Sequence, residues 1–399
     1  MIPFSKPDVG PQEIEAIKEV VKSGWLCNGP KVAALEERVR LLSNADGCVC
    51  VDSCTGAMAT VLRALGVRQG DEVITTPYTY TATAAVINHV GAKIVFCDLK
   101  PGTFEMDYDK LPGLITKNTK AIIPVDIGGK LCDYAAIMDA IRATQHLFTA
   151  GSELQEALGR IAIVADAAHS FSATQGDKVS GELADFTCFS FHVLKVITTG
   201  GEGGAIVWQP IPGIDSARIQ YTLKLLSDAG QSKRGLAKEG NMWEYDVLFL
   251  GHNHIMTDID AAMGMVQLDR LEGLAEKRML VTMRYNDGLD GVARQMIDHL
   301  PKSKKYQSSM HLMIVEIEGG EDRRNAVFEE MYKAGIKCNV HYKPLPMFTA
   351  YKSLGYDIKG FPEAHNRFTK SLSLPYHSKL RLEEVDYICE KLKIALEKT

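Results

Sequence analysis

Asp166, in VADAAHS, and Lys195, in SFHVLKVITTGGEGG, stand 29 positions apart, and each follows a short apolar run that reads as a buried strand. Strands that emerge at one sheet edge would bring the carboxylate and the amine together. An ammonium withdrawn from water loses its proton more easily and becomes a nucleophile toward aldehydes. A carboxylate facing it across a flat pyridine ring keeps the ring nitrogen protonated, which makes the ring an electron sink. Lysine and aspartate in these positions point to pyridoxal 5'-phosphate.

A phosphorylated cofactor also needs an anion cradle, and DSCTGAMATVLRALG supplies one. Small residues, Cys54 and Thr55 among them, lead straight into a helix, whose free N–H groups and dipole favour a phosphate. Ser190, five residues before Lys195, adds a hydroxyl. Tyr80, in TPYTYTATAA, opens another helix at a strand end, where its ring can stack on the cofactor. Singly, each residue has a plainer reading: a solvated lysine, an aspartate N-cap, a strand-to-helix turn, a core tyrosine. Their order and spacing carry the weight. His252 and His254 form an H-x-H without a third ligand at a telling spacing, and Cys48 and Cys50 have no partner pair, so no metal is assigned.

The elements that must position these groups alternate. Pro11 opens a helix whose apolar residues recur at helical spacing until Gly24, and VAALEERVRLL forms a second. Strands are predicted at 48–52, 72–75, 93–97, 120–125, 161–165, 186–191 and 204–208, mostly separated by helical patterns. That pattern predicts an α/β fold: a large domain, residues 1–250, with a mainly parallel seven-stranded sheet covered by helices. Residues 251–399 read as a long connecting helix and a smaller C-terminal α+β domain. The segment 143–158 reads as helical or loop decoration.

The chain has 399 residues, 46% hydrophobic and 24% charged, with a formal charge of −5, values of a folded globular enzyme. That balance gives no footprint for nucleic acid or an anionic membrane. The first residues lack an apolar signal core and no window is long enough to span a bilayer, so the expected location is cytoplasmic. Nine scattered cysteines read as free and mostly buried.

IPFSKPDVG, SGWLCNGPKVAALEE, PYTYTATA, VADAAHS, SFHVLKVITTGGEGG, HNHIMTDIDAAMG, HYKPL and SLSLPYHSKL together resemble the DegT/DnrJ/StrS family of pyridoxal-phosphate sugar aminotransferases over nearly the whole chain. The resemblance implies the aspartate aminotransferase architecture, PLP-dependent transferase fold type I. It makes Lys195 the Schiff-base lysine and proton shuttle, with Asp166 on the pyridine nitrogen and His169 beside the ring hydroxyl. Cys54, Thr55 and Ser190 would hold the phosphate and Tyr80 would stack. Asn253 matches an asparagine that reaches the phosphate from a neighbouring subunit, which implies a homodimer with active sites at the subunit interface.

The expected function is transfer of an amino group from L-glutamate to a nucleotide-linked keto-deoxy sugar by a ping-pong route. A 4-keto-6-deoxy sugar on UDP or GDP is the first choice and a 3-keto sugar the second. His341 and Tyr342 are placed on the sugar side, with packing at the domain interface as the alternative. A lyase or desulfurase on the same fold, and a non-enzymatic ligand sensor, are the rival readings. Family dehydratases replace the lysine by histidine, and this chain keeps Lys195. The chain departs from the family at SCTGA, where SGTAA is usual, at the extra glycine after Lys195, and at Ile255, where arginine is common.

Overall fold

A computed structural model describes residues 1–232, 245–301, 303 and 305–399. Seven strands form the large sheet: β1 (Gly47–Val51), β2 (Glu72–Thr75), β3 (Lys93–Phe96), β4 (Thr119–Ile123), β5 (Ala162–Ala167), β8 (Phe186–Ser190) and β9 (Gly204–Trp208). Their spatial order is β1-β9-β8-β5-β4-β2-β3. Every residue of β1, β2, β4, β5, β8 and β9 is buried, as a sheet covered on both faces requires, while edge strand β3 exposes Lys93. From β3 to β8 all neighbours are parallel, and β9 runs antiparallel to both β8 and β1. The ends of β1, β5 and β8 therefore lie along one edge of the sheet. A small ribbon of β6 (Thr174–Gln175), β7 (Lys178–Val179) and β10 (Tyr306–Gln307) lies apart from it.

Helix α1 (Pro11–Ser23) begins with proline and ends at Gly24, whose φ of 72° a side chain would strain. Helix α2 (Pro30–Leu42) follows, then α3 (Cys54–Ala64) and α4 (Thr81–His89). Met58, Val61 and Leu62 of α3 pack with Val86 and Ile87 of α4 against Val49, Val73 and Val164 of the sheet. Between β4 and β5, the decorating segment holds a turn at Gln145–Leu147 and a helix, Glu153–Leu158, capped by Ser152.

The C-terminal part has its own core. The antiparallel pair β11 (Met313–Glu316) and β12 (Ser371–Leu374) packs Met313, Val315, Leu372 and Leu374 against Val281, Val327, Ile388 and Leu392 of three helices. The first residues of the chain join it, with the Ile2 amide donating to the Gly335 carbonyl at 2.7 Å. The pattern read as one long helix is two, Asp258–Asp269 and Leu271–Leu289. They part at Arg270, whose backbone swings to φ −97°, ψ 0° while its guanidinium pairs with Asp8 at 2.6 Å and Glu13 at 2.5 Å. Among the described residues no helix is long and apolar enough to cross a membrane. Eight cysteines are buried and free, and Cys27 is exposed and free.

Candidate active site

Asp166 lies in β5 and pairs across to Cys188 of β8, so the loop that follows β8 starts beside it. That loop carries Lys195, and behind the lysine Thr199 donates its hydroxyl to the Glu202 carbonyl at 2.7 Å. Gly203 then runs at φ 156°, where a Cβ would strike the Thr199 hydroxyl, so the chain turns back into β9 only with glycine here. A third strand end, that of β1, delivers the start of α3 to the same edge. Ser53 caps this helix by accepting the Gly56 N–H at 3.0 Å. The first N–H groups of a helix have no intrahelical partner, and Cys54 and Thr55 supply them at the wall of a cavity of about 560 Å³.

Nine of the ten residues singled out in the sequence line that cavity: Cys54, Thr55, Tyr80, Asp166, His169, Ser190, Lys195, His341 and Tyr342. The tenth, Asn253, is exposed, bridges to Asp228 and lies outside the cavity of its own chain. Tyr80 stands just before α4 and is 62% exposed. The Cys54 thiol turns inward, to the Cys188 carbonyl at 3.2 Å and to Asp166 Oδ1 at 3.8 Å. Its bulk therefore leaves the backbone turn open, which reconciles cysteine with a position where glycine is usual.

Asp166 Oδ2 accepts the Thr83 hydroxyl at 2.7 Å, and Oδ1 accepts the Ala168 N–H at 3.2 Å. Burial raises its pKa, opposed by these donors and by the charge of Lys195. Burial lowers the pKa of Lys195, with Asp166 pulling the other way. Burial and the lysine charge together hold His169 well below the ordinary imidazole value, so it is neutral. Its Nδ1 accepts the Gly128 N–H at 3.2 Å, which leaves the hydrogen on Nε2, 3.2 Å from the Tyr342 hydroxyl. His341 Nδ1 meets the Ser373 hydroxyl at 2.9 Å, and burial drops its pKa to about 4.

The model of the DegT/DnrJ/EryC1/StrS aminotransferase family matches residues 7–393. The chain belongs to this family. It is 32% identical over 400 residues to a spore coat polysaccharide biosynthesis protein, SpsC, of Bacillus subtilis, covering 98% of this chain and 96% of that protein. Among solved structures, the putative sugar aminotransferase Spr1654 of Streptococcus pneumoniae in its PMP form is 44% identical, with a TM-score of 0.96 over all of both chains. Helicobacter pylori PseC, an aminotransferase involved in the biosynthesis of pseudoaminic acid, is 26% identical with a TM-score of 0.86 over all of both chains.

As a member of this family the chain is a pyridoxal-phosphate-dependent aminotransferase. Its donor set fits that cofactor: an amine, a buried carboxylate with acceptor room toward the cavity, and a helix start for an anion, all at one edge. Lys195 is the one lysine or arginine among the described lining residues. Sequence reasoning missed Thr83, His311, Asp52 and Gly128. Thr83 had a signal, since it lies in the first turn of the helix that Tyr80 precedes, at the same strand end. His311 also lines the cavity, its ring 4.3 Å from that of His169. Its only trace in the sequence is a histidine ahead of an apolar strand.

Proposed function

We propose that this aminotransferase moves an amino group from L-glutamate to the keto carbon of a nucleotide-linked deoxy sugar. A 4-keto-6-deoxy sugar on UDP or GDP is its first acceptor and a 3-keto sugar its second. The observation that carries the reading is the single cavity of about 560 Å³ onto which Lys195, Asp166 and the start of α3 all open. One such space must take donor and acceptor in turn. The sugar assignment is supported by the pneumococcal protein's description as a putative sugar aminotransferase and by the polysaccharide role named for SpsC.

Pyridoxal phosphate, when bound, supplies the electron sink that makes a carbon–hydrogen bond beside nitrogen acidic. The Lys195 amine, depressed by burial, takes that proton on the donor side and returns it on the acceptor side. Asp166 holds the ring nitrogen. The α3 start, Thr55 and Ser190 hold the phosphate, Tyr80 covers the ring, and His169 stands beside the ring hydroxyl. His341 and Tyr342 form the wall against the sugar. A second copy of the chain contributes Asn253, so the working unit is a homodimer. The same reading makes residues 1–250 the large cofactor-binding α/β domain and residues 251–399 the connecting helix and the small C-terminal α+β domain.

The visible absorption spectrum of the purified protein tests this. A yellow band that bleaches with L-glutamate and returns when a UDP- or GDP-linked 4-keto sugar is added is the expected result. A band indifferent to glutamate overturns the donor. A band that bleaches and never returns with nucleotide-linked keto sugars overturns the acceptor.

A further inference from the structure

The turn that opens α3 carries a charge of the wrong sign for a phosphate. Asp52 lines the same cavity as Cys54 and Thr55, and its side chain is 40% exposed. A phosphate at this helix start meets that carboxylate unless something turns it away.

His254 supplies the restraint. Its Nδ1 lies 2.9 Å from Asp52 Oδ2, and because a carboxylate only accepts, Nδ1 carries the hydrogen. The Ser53 hydroxyl donates to Asp52 Oδ1 at 2.8 Å, so its oxygen is free to accept the Gly56 N–H. The cap of α3 is thus set by a chain of bonds that begins at His254. The backbones are tied as well, with the Asp52 N–H donating to the His254 carbonyl at 2.9 Å. Space confirms the fit: a Cβ on Gly56 would stand 2.5 Å from Asp52 Oδ1 and 2.9 Å from His254 Cγ. The neighbouring His252 is engaged otherwise, its Nε2 accepting from Arg63 at 3.0 Å.

We propose that His254 is a positioning residue for the cofactor's phosphate, holding the Asp52 carboxylate to itself and fixing the turn on which the anion sits. This rests on the reading of the α3 start as the phosphate site. It assigns a role to a histidine that the sequence offers only as half of an H-x-H.

The test measures binding of pyridoxamine phosphate and of pyridoxamine, by calorimetry, to the full chain freed of cofactor. Neither probe has an aldehyde, so Lys195 adds no covalent contribution. His254→Ala is expected to weaken pyridoxamine phosphate about tenfold or more and to leave pyridoxamine unchanged, the signature of an unshielded charge beside the phosphate. Adding Asp52→Asn to His254→Ala is expected to restore most of the loss, because the repelling charge is then gone. Gly56→Ala, which displaces the pair, is expected to resemble His254→Ala. Wild-type affinity in His254→Ala, or a double variant as weak as the single, overturns the proposal. A wild-type chain that binds the two probes equally overturns the phosphate-site reading itself.

Discussion

Asp126 and Asp166 sit at the ends of neighbouring parallel strands, and the Asp126 N–H donates to the Asp166 carbonyl at 3.1 Å. Both are nearly sealed from solvent, at 1% and 5% exposure, and burial raises both pKa values, that of Asp126 to about 7. Their oxygens differ. Asp126 accepts from the Cys132 N–H at 2.9 Å, from the Tyr134 hydroxyl at 3.0 and 3.1 Å, and from the Ser170 hydroxyl at 2.7 Å. Asp166 has one hydroxyl, one N–H and a distant thiol, and it lines the cavity where Asp126 does not. Burial alone therefore does not mark a working carboxylate. Acceptor capacity left open toward a cavity is what sets Asp166 apart.

The largest expected effect removes the charge that Asp166 faces and Asp126 does not. Lys195→Ala should lower turnover by at least about 10³-fold, since in the proposed function it deletes the general base, while circular dichroism and melting stay near wild type. Residual turnover within tenfold of wild type would break the comparison at its base. Next, Asp166→Asn should keep cofactor binding and cost about 10²-fold in rate, because a neutral amide cannot hold a ring nitrogen protonated. Asp126→Asn should leave the rate unchanged. Equal losses in the two variants, measured in one assay, would erase the distinction.

Asp126 should show itself in stability instead. Its folded pKa of about 7 exceeds the ordinary 3.8, so between those values the folded chain holds a proton that the unfolded chain has lost. Stability from this group is full below about pH 4, falls as pH rises toward 7, and levels off above it. The span is on the order of a few kcal/mol. Melting temperatures of wild type and Asp126→Asn, compared at pH 5 and pH 8, should diverge in that direction. Parallel curves would place the group's titration elsewhere.

The sheet was readable because its strands are short apolar runs, most of which reach proline or aspartate within two residues; 72–75 and 204–208 match to the residue, and 186–191 overruns β8 by one. The cavity was readable because parallel strands bring their carboxyl ends to one edge. The break at Arg270 was not, since the apolar pattern runs through it and its cause is Asp8 and Glu13, some 260 positions earlier. Asp126, in PVDIGG, and Asp166, in VADAAHS, look alike as residues following apolar runs. What separates them is which hydroxyls reach each carboxylate, and Thr83 and Tyr134 come from helices whose docking no local pattern records.

Thr83 offers the finest cut. Its hydroxyl lies 2.7 Å from Asp166 Oδ2, 3.2 Å from the Tyr80 carbonyl and 2.9 Å from the Thr79 hydroxyl. A hydroxyl has one hydrogen, and the shortest contact, to a carboxylate, claims it. The Thr79 hydroxyl then donates to Thr83, so two threonines in succession steady Asp166. Thr83→Val keeps the shape and deletes the donor; a hydrogen bond to a charged group contributes about 1.5–3 kcal/mol, so the rate should fall roughly tenfold or more with cofactor binding largely kept. Thr83→Ser should restore it. The matching cut at Asp126, Ser170→Ala, leaves the Tyr134 hydroxyl and the Cys132 N–H in place and should not move the rate. If Ser170→Ala slows turnover as much as Thr83→Val, the two aspartates act as one coupled unit, and the line between a structural and a working carboxylate does not run between them.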